Sequence, residues 1–408
     1  MDDPPLTLLK IPAEDYPDYR RDVIFRAYKW DPQVGDTNTI SRYVVLLSRK
    51  AAQELCALAE SLSDELCEME RALLARPDLL RTLGFSGNMK RLLGAIGSNN
   101  SYSCEDHVRL KRFDFHPTDR GWKISEVNSD VPGGLAEASV LPEIACEFFT
   151  GCRPDGNVAS HVLGSFQSKL RAGSRIAFVH ATSYADDRQV MQFLGDYFLQ
   201  NGYRTLFAAP DHLRWKDKKA YSVLSGEEGA VDGIVRFFPL EWLETLPRES
   251  GWRGYFNCET ACCNHPAAML TQSKRLPLVW DSLGIGIPKW KALLPETKEP
   301  GAQARDADGW IYKPAFGRVG SGISIKGSVS EKELKSIKKA AVRSKRAWIT
   351  QRMFNSTPII SPDGDSYHIC LGLFTVDGKA AGFYARLGSY ARIDEYAQDV
   401  PVLIECGV

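Results

Sequence analysis

No stretch of the chain approaches the roughly 18 consecutive apolar residues that a membrane-spanning helix needs. A surplus of either charge is missing as well. Fifty-one Lys and Arg balance 51 Asp and Glu, so no global field draws the protein to nucleic acid or to an anionic membrane surface. Internal repeats and low-complexity tracts are absent. The opening Met1-Asp2-Asp3-Pro4-Pro5 has neither a basic segment nor an apolar core, so a secretory signal is not expected. The ten cysteines are scattered. Cys258, Cys262, Cys263 and His265 form one irregular cluster without the second Cys-x2-4-Cys half of a structural zinc site, and they read as ordinary buried or loop residues. A cytoplasmic protein with reduced thiols is expected.

What is present comes in three blocks. At 408 residues the chain suggests two or three domains of about 150 residues each. The expected division is 1–160, 161–270 and 271–408. Residues 1–45, with Pro and Asp throughout, read as loops. From Ser48, Leu55, Leu58, Leu62, Leu66, Met69 and Leu73 recur at helical steps until Pro77. Residues 108–128 alternate on both sides of Thr118-Asp119-Arg120-Gly121 and read as a β-hairpin. Residues 175–208 read as strand, helix (188–200) and strand, a β-α-β unit that builds a parallel sheet, joined by a strand at 233–238. Strands at 310–314 and 322–326 flank a Gly-rich loop. Ser330 and Glu333 form a capping box for a helix reaching about 344, a strand follows at 347–352, and a second hairpin at 366–386 turns on Asp377-Gly378. The fold class is α/β, with α+β character.

The first hairpin carries chemistry. Centred on Arg120, it sets Asp114 opposite Glu126 and Arg112 opposite Asn128, all on one face. Two carboxylates across a ladder repel. A divalent cation removes that cost, and Mg²⁺ prefers the hard oxygens of Asp, Glu and an Asn amide. Ordinary surface charges on an exposed face are the competing reading. If the repulsion dominates, Asp114→Asn or Glu126→Gln leaves stability unchanged or improved.

The second signal is Lys313-Pro314-Ala315-Phe316-Gly317-Arg318-Val319-Gly320-Ser321-Gly322. Its glycines free backbone N–H groups to cradle phosphate, and Lys313 ends the preceding strand within reach of phosphate oxygens. It is neither a Walker A loop nor a dinucleotide fingerprint. A loop between two strands is a flap, and its amide exchange over 315–322 is expected to slow when ATP binds. Lys274, the backbone from Trp348 to Gln351, and Arg386 after the second hairpin each fit nucleotide or phosphate binding.

In this order the segments resemble the synthetase domain of glutathionylspermidine synthetase and its relatives in the ATP-grasp superfamily. Arg112-Phe113-Asp114 is followed, twelve residues after the Asp, by Glu126 in Glu126-Val127-Asn128. Ser273-Lys274 and Lys313-Pro314-x-x-Gly317-Arg318-x-Gly320 match later segments, as do Trp348 to Gln351 and Arg386. The similarity runs from about residue 10 to the end. It implies an ATP-grasp fold with an inserted pre-ATP-grasp β-α-β domain. It implies Mg²⁺ on Asp114, Glu126 and Asn128. It also implies ATP on Arg112, Asp114, Lys274, Lys313, Gly317, Val319, Gly320, Trp348, Ile349 and Gln351, with Arg112 and Arg386 as catalytic arginines. Two departures stand out. The amidase domain of the bifunctional members is not expected here, and Val131 and Phe237 stand where glutathione-using members place hydroxyl residues.

The expected reaction is ATP- and Mg²⁺-dependent joining of a small-molecule or peptide carboxylate to an amine through an acyl-phosphate. Two alternatives remain open on the residues alone: a small-molecule phosphotransferase using the same site, and a catalytically silent nucleotide-binding protein. Release of phosphate only with both substrates, release of none, or no turnover separates the three.

Overall fold

Ser48 starts the helix Arg49–Leu74, its side chain accepting a hydrogen bond from Ala51 N at 3.2 Å. In this computed structural model the described residues are 5–98, 102–301, 309–317 and 329–406. Leu55, Leu62, Leu66, Met69 and Leu73 are fully buried along one stripe, with Leu58 half-buried beside them. Each such side chain contributes about 1.5–3 kcal/mol of apolar burial. The stripe lies under the second hairpin.

That hairpin, Ser366–Val376 and Lys379–Gly388, is the middle of an antiparallel sheet. Gln398–Val400 flanks it on one edge. On the other, Ser366–Val376 pairs with Leu110–Thr118, which pairs with Gly121–Asn128. The two hairpins, some 250 residues apart in the sequence, thus share one ladder. Alternation sorts their side chains. Phe113, Phe115, Leu371, Leu373, Phe383 and Ala385 enter the core. Arg112, Asp114, Cys370, Tyr384 and Arg386 line a cavity on the opposite face.

The expected β-α-β unit is present. Arg175–His180 and Arg204–Ala208 are parallel, and Gly233–Phe237 and Ala261–Cys263 extend the sheet in the same sense. Every residue of Arg175–His180 is buried, as a strand covered on both faces requires. The crossover helix, Ala185–Gln200, begins a turn earlier than the apolar pattern indicates. Asp186 and Asp187 occupy its first turn, where carboxylates complement the helix dipole. A third sheet pairs Trp348–Arg352 with Trp310–Pro314 and Thr297–Lys298. Ser330 caps its helix, Glu331–Arg343, by accepting from Glu333 N at 3.2 Å. The strand expected at 322–326 lies outside the described residues.

The reading of residues 1–45 as loops is corrected. Leu6–Lys10 is a strand and Tyr16–Arg26 a helix. The strand is held by distant chain: it pairs with Tyr43–Leu47, which pairs in parallel with Val402–Glu405. The helix buries only Tyr19 and Val23, too thin a stripe to show as a period. Cys258, Cys262, Cys263 and His265 are all buried. The Cys262 thiol donates to the Thr260 carbonyl at 3.1 Å, His265 Nδ1 accepts from Ala267 N, and the His265 ring lies 4.3 Å from that of His107.

Candidate active site

The first hairpin turns on two residues. Thr118 pairs with Gly121, and the Thr118 hydroxyl donates to the Gly121 carbonyl at 2.6 Å. Continued regularly, that ladder would set Asp114 opposite Ser125. A bulge intervenes between Asp114 and Phe115, leaving Ser125 out of register, so Asp114 faces Glu126 and Arg112 faces Asn128. The bulge is thus what aligns the two carboxylates. It also frees the Ser125 carbonyl, which accepts from Lys313 Nζ at 3.1 Å.

Arg112 grips Asp114 with two parallel bonds, Nε to Oδ1 at 2.7 Å and Nη2 to Oδ2 at 2.9 Å. Its remaining nitrogen donates to the Gly133 carbonyl at 2.7 Å, and the guanidinium sits 5.3 Å over the Tyr384 ring. Gly372, opposite Asp114 in the ladder, makes this geometry possible. A Cβ there would lie 2.8 Å from Arg112 Cδ. Asn128 Nδ2 donates to Asp114 Oδ2 at 3.2 Å. Glu126 accepts from Lys274 at 2.9 Å.

The electrostatics split the facing carboxyls. Burial raises the Asp114 carboxyl above its ordinary value. Arg112 offsets part of that, and Glu126 adds to it. Burial acts the same way on Glu126, but Lys274 and Lys313 outweigh it and hold the group below its ordinary value. Burial, with Lys274 nearby, lowers Lys313 to about 8 despite Glu126. His116 is lowered to about 4 by burial and by Lys313, so it is neutral at pH 7.

The cavity behind these residues measures about 850 Å³, a size that suits a small-molecule site. Among the described residues, eight carboxylates line it (Asp31, Asp114, Glu126, Glu137, Asp186, Asp187, Glu395, Asp399) against five cations (Lys29, Arg112, Lys313, Arg386, Arg392). The excess of three negative charges favours cationic ligands and opposes a bare polyphosphate. Val131, Phe237 and Trp242 give part of the wall an apolar surface.

Most of the residues named from the sequence converge here. Arg112, Asp114, Glu126, Asn128, Lys313 and Arg386 line the cavity. Lys274, Ile349 and Gln351 line a pocket of about 30 Å³ that shares Ser125, Glu126 and Lys313 with it. The Gln351 Oε1 atom is buried there without a hydrogen-bond partner among the described residues. Gly317 lies at the rim, its carbonyl accepting from Lys274 Nζ at 2.6 Å. Trp348 lines neither cavity. Its ring packs against the Ile337 and Ala341 cluster, and its carbonyl accepts from Arg275 at 2.8 Å. Val319 and Gly320 lie outside the described residues.

Several residues escaped the sequence reading. Asp399 accepts from the Tyr384 hydroxyl at 2.8 Å and from Lys29 at 2.7 Å, and Lys29 reaches Glu137 at 3.1 Å. Burial would raise Asp399, yet Lys29 and Arg386 hold it below its ordinary value. Asp130 and Arg236 form a fully buried ion pair behind the turn that carries Val131. No local motif marks these residues, because each is joined to its partner only by folding.

The family model for glutathionylspermidine synthase preATP-grasp matches residues 11–405. No curated protein is significantly similar to the chain. Among solved structures, a glutathione synthetase-like effector, GSS30, from Globodera pallida in its apo form superposes with a TM-score of 0.58 at 13% identity, covering 89% of each chain. A putative gamma-glutamylcysteine synthetase from Methylobacillus flagellatus gives a TM-score of 0.44 at 13% identity, over 80% of this chain and 88% of that one. The family model and the superposition on GSS30 give the fold of the ATP-grasp-like synthetases, as the motif order implied. No helix among the described residues is long and apolar enough to cross a membrane. With the family model spanning nearly the whole length, the chain belongs to the glutathionylspermidine synthase preATP-grasp family, at which level it is a carboxylate–amine ligase.

Proposed function

We propose that the protein joins a carboxylate to an amine through an acyl-phosphate, consuming ATP with Mg²⁺ and releasing ADP and phosphate. The observation that carries this reading is the single cavity wall on which Arg112, Asp114, Glu126 and Asn128 meet, with Lys274 and Lys313 at its edge. The residues fit a hard dication. Among the described residues no group of three or more His, Cys, Asp or Glu could hold a metal. The candidate set is two carboxylates and an amide, and the facing acids carry a repulsion that a dication would relieve. Both Asp114 oxygens are engaged by Arg112, so Asp114 would have to share or give up one of those bonds to serve as a ligand.

When bound, Mg²⁺ would neutralise charge developing on the transferring phosphoryl group. Arg112 would supply fixed positive charge to the same group, and Lys313 and Lys274 would hold phosphate oxygens at its edge. The adenine is assigned to the pocket of Ile349 and Gln351, where Gln351 Oε1 awaits a donor. At about 30 Å³ that pocket must widen to take a purine. Residues 1–160 and 271–408 are proposed as the ligase core sharing the central sheet, and 161–270 as the substrate domain contributing Phe237 and Trp242. A screen of acid and amine pairs for ADP release, with mass spectrometry of the product, tests the reaction. Phosphorylated acid without amide would sink it in favour of a phosphotransferase.

Lys313 sets a pH limit. Its ammonium attracts phosphate only while protonated, and the proton leaves as pH rises through about 8. In the free enzyme, kcat/KM for ATP should therefore fall above pH 8, and Lys313→Arg should move that limb beyond pH 10. A flat profile between pH 7 and 9.5 contradicts this role for Lys313.

The apolar wall limits the substrates. A ligand hydroxyl or amide facing Val131 or Phe237 loses its water without gaining a partner, which costs selectivity. Glutathione with spermidine is expected to be a poor pair, with kcat/KM below about 10⁴ M⁻¹s⁻¹, the low end for ordinary enzymes. Steady-state kinetics on that pair settles the point.

A further inference from the structure

Arg386 on the second hairpin and Arg392 in the segment 389–397 that follows it both line the cavity. Asp394 holds them together. Its backbone carbonyl accepts from Arg386 Nη2, and its carboxylate accepts from Arg392 Nη2 at 3.0 Å. On the far side, Arg392 Nη1 lies 4.0 Å from Glu333 in the first turn of the helix Glu331–Arg343. The guanidinium is thus hydrogen-bonded through Nη2 and faces a second carboxylate at longer range through Nη1. The Nε atom of Arg392 is buried with no hydrogen-bond partner among the described residues, and that of Arg386, buried and likewise without a hydrogen bond, has only the Asp399 carboxylate 3.9 Å away. A buried donor without an acceptor is costly, and more so when it is charged. The Arg392 donor, beside an Arg386 that has only a distant carboxylate, asks for anionic oxygen from the cavity.

The sheet register says which anion. Glu126, with Lys274 and Lys313 beside it, lies on the edge strand. Asp114 is on the next strand, then Cys370, then Arg386 opposite Cys370. At the usual strand spacing, Arg386 stands about 10 Å from the Asp114 strand, on the side away from the two lysines. The nucleotide anchors and the two arginines therefore flank the Arg112–Asp114 pair from opposite sides. We propose that Arg392, with Arg386, is an oxyanion clamp for the acid substrate, holding its carboxylate and then its acyl-phosphate, not the phosphates of the nucleotide. A planar guanidinium held through Nη2 presents a directed Nε–H to such oxygens, which an ammonium does not reproduce. The identity of the anion rests on the ligase reading; the clamp itself rests on the buried Arg392 Nε and on Arg386 beside it.

Inorganic phosphate serves as the oxyanion probe. Calorimetric titration of phosphate, with and without Mg²⁺ and ADP, and of AMP-PNP with Mg²⁺, is carried out on the wild type, Arg392→Gln, Arg392→Lys and Glu333→Gln. Phosphate affinity should fall at least tenfold in Arg392→Gln and at least severalfold in Arg392→Lys. AMP-PNP affinity should stay within twofold in both, and Glu333→Gln should bind phosphate within threefold of wild type. Unchanged phosphate binding in Arg392→Gln overturns the clamp, as does a tenfold loss of AMP-PNP with phosphate unaffected, which would make Arg392 a nucleotide residue. If Arg392→Gln fails to fold, wild-type phosphate affinity in Arg392→Lys overturns the clamp. Should the wild type bind phosphate through Arg392 but no nucleotide at all, the clamp stands and the ATP-dependent ligase reading falls.

Discussion

Asp114→Asn is expected to lower Mg²⁺-dependent turnover by at least about 10²–10³-fold, the scale for removing one group that stabilises a transition state, and to lower the melting temperature as well. Glu126→Gln should cost as much turnover with far less effect on stability. The hairpin pattern by itself predicts that either change relieves a repulsion and leaves stability intact. The structure revises this for Asp114. Asp114, only 5% exposed, holds the largely covered Arg112 through two bonds. Removing the carboxylate charge leaves a buried guanidinium without its counter-charge, a change that costs about 3–5 kcal/mol where such pairs are broken. Glu126 differs, because its lysine partners keep carbonyl acceptors. Lys274 still donates to Gly317 and Lys313 to Ser125. Differential scanning fluorimetry beside a turnover assay separates the two. Equal melting points for Asp114→Asn and the wild type would mean that the Arg112–Asp114 pair contributes nothing net to the folded state. Undiminished turnover in either variant would remove the metal assignment.

The hairpin was legible because its signals are local. Alternation, a short turn and a twelve-residue spacing place Asp114 opposite Glu126. The agreement nevertheless depends on a bulge at Ser125 that no residue type announces. Ser48 and Ser330 mark their helices in the same local way, each by capping its own first turn. What could not be read is what only distant chain creates. Lys29 belongs to a segment with no apolar period, yet it reaches Asp399, 370 residues later. Arg392 follows a hairpin whose neighbour in the sheet comes from the first third of the chain. Trp348 shows the opposite limit. The motif selects the right strand, but alternation turns Ile349 and Gln351 into the small pocket that Lys274 also lines, while the Trp348 ring joins the helix behind it.

Chelating Mg²⁺ should weaken ATP binding by about 100-fold, and Glu126→Gln should shrink that effect to a few-fold. Among the described residues the cavity's eight carboxylates and five cations leave it net negative, so a bare nucleotide tetraanion enters against the field. A unit charge about 10 Å away at an effective dielectric constant of about 20 is worth roughly 1.7 kcal/mol. Neutralising two such charges with a dication is therefore worth about 3 kcal/mol, or about two orders of magnitude in affinity. Glu126→Gln removes one of those negative charges permanently and frees Lys274 and Lys313 from their shared carboxylate. Metal-free nucleotide should then bind about tenfold more tightly than to the wild type. The metal-loaded complex, lacking one oxygen ligand, should bind less tightly. The two changes have opposite signs, which general destabilisation of the site cannot produce, since that weakens both states together. Titration of ATP into the wild type and the variant, each with excess Mg²⁺ and with EDTA, gives four dissociation constants. If EDTA weakens binding equally in both proteins, the cation does not sit between Asp114 and Glu126, and the excess acid in the cavity serves the amine instead.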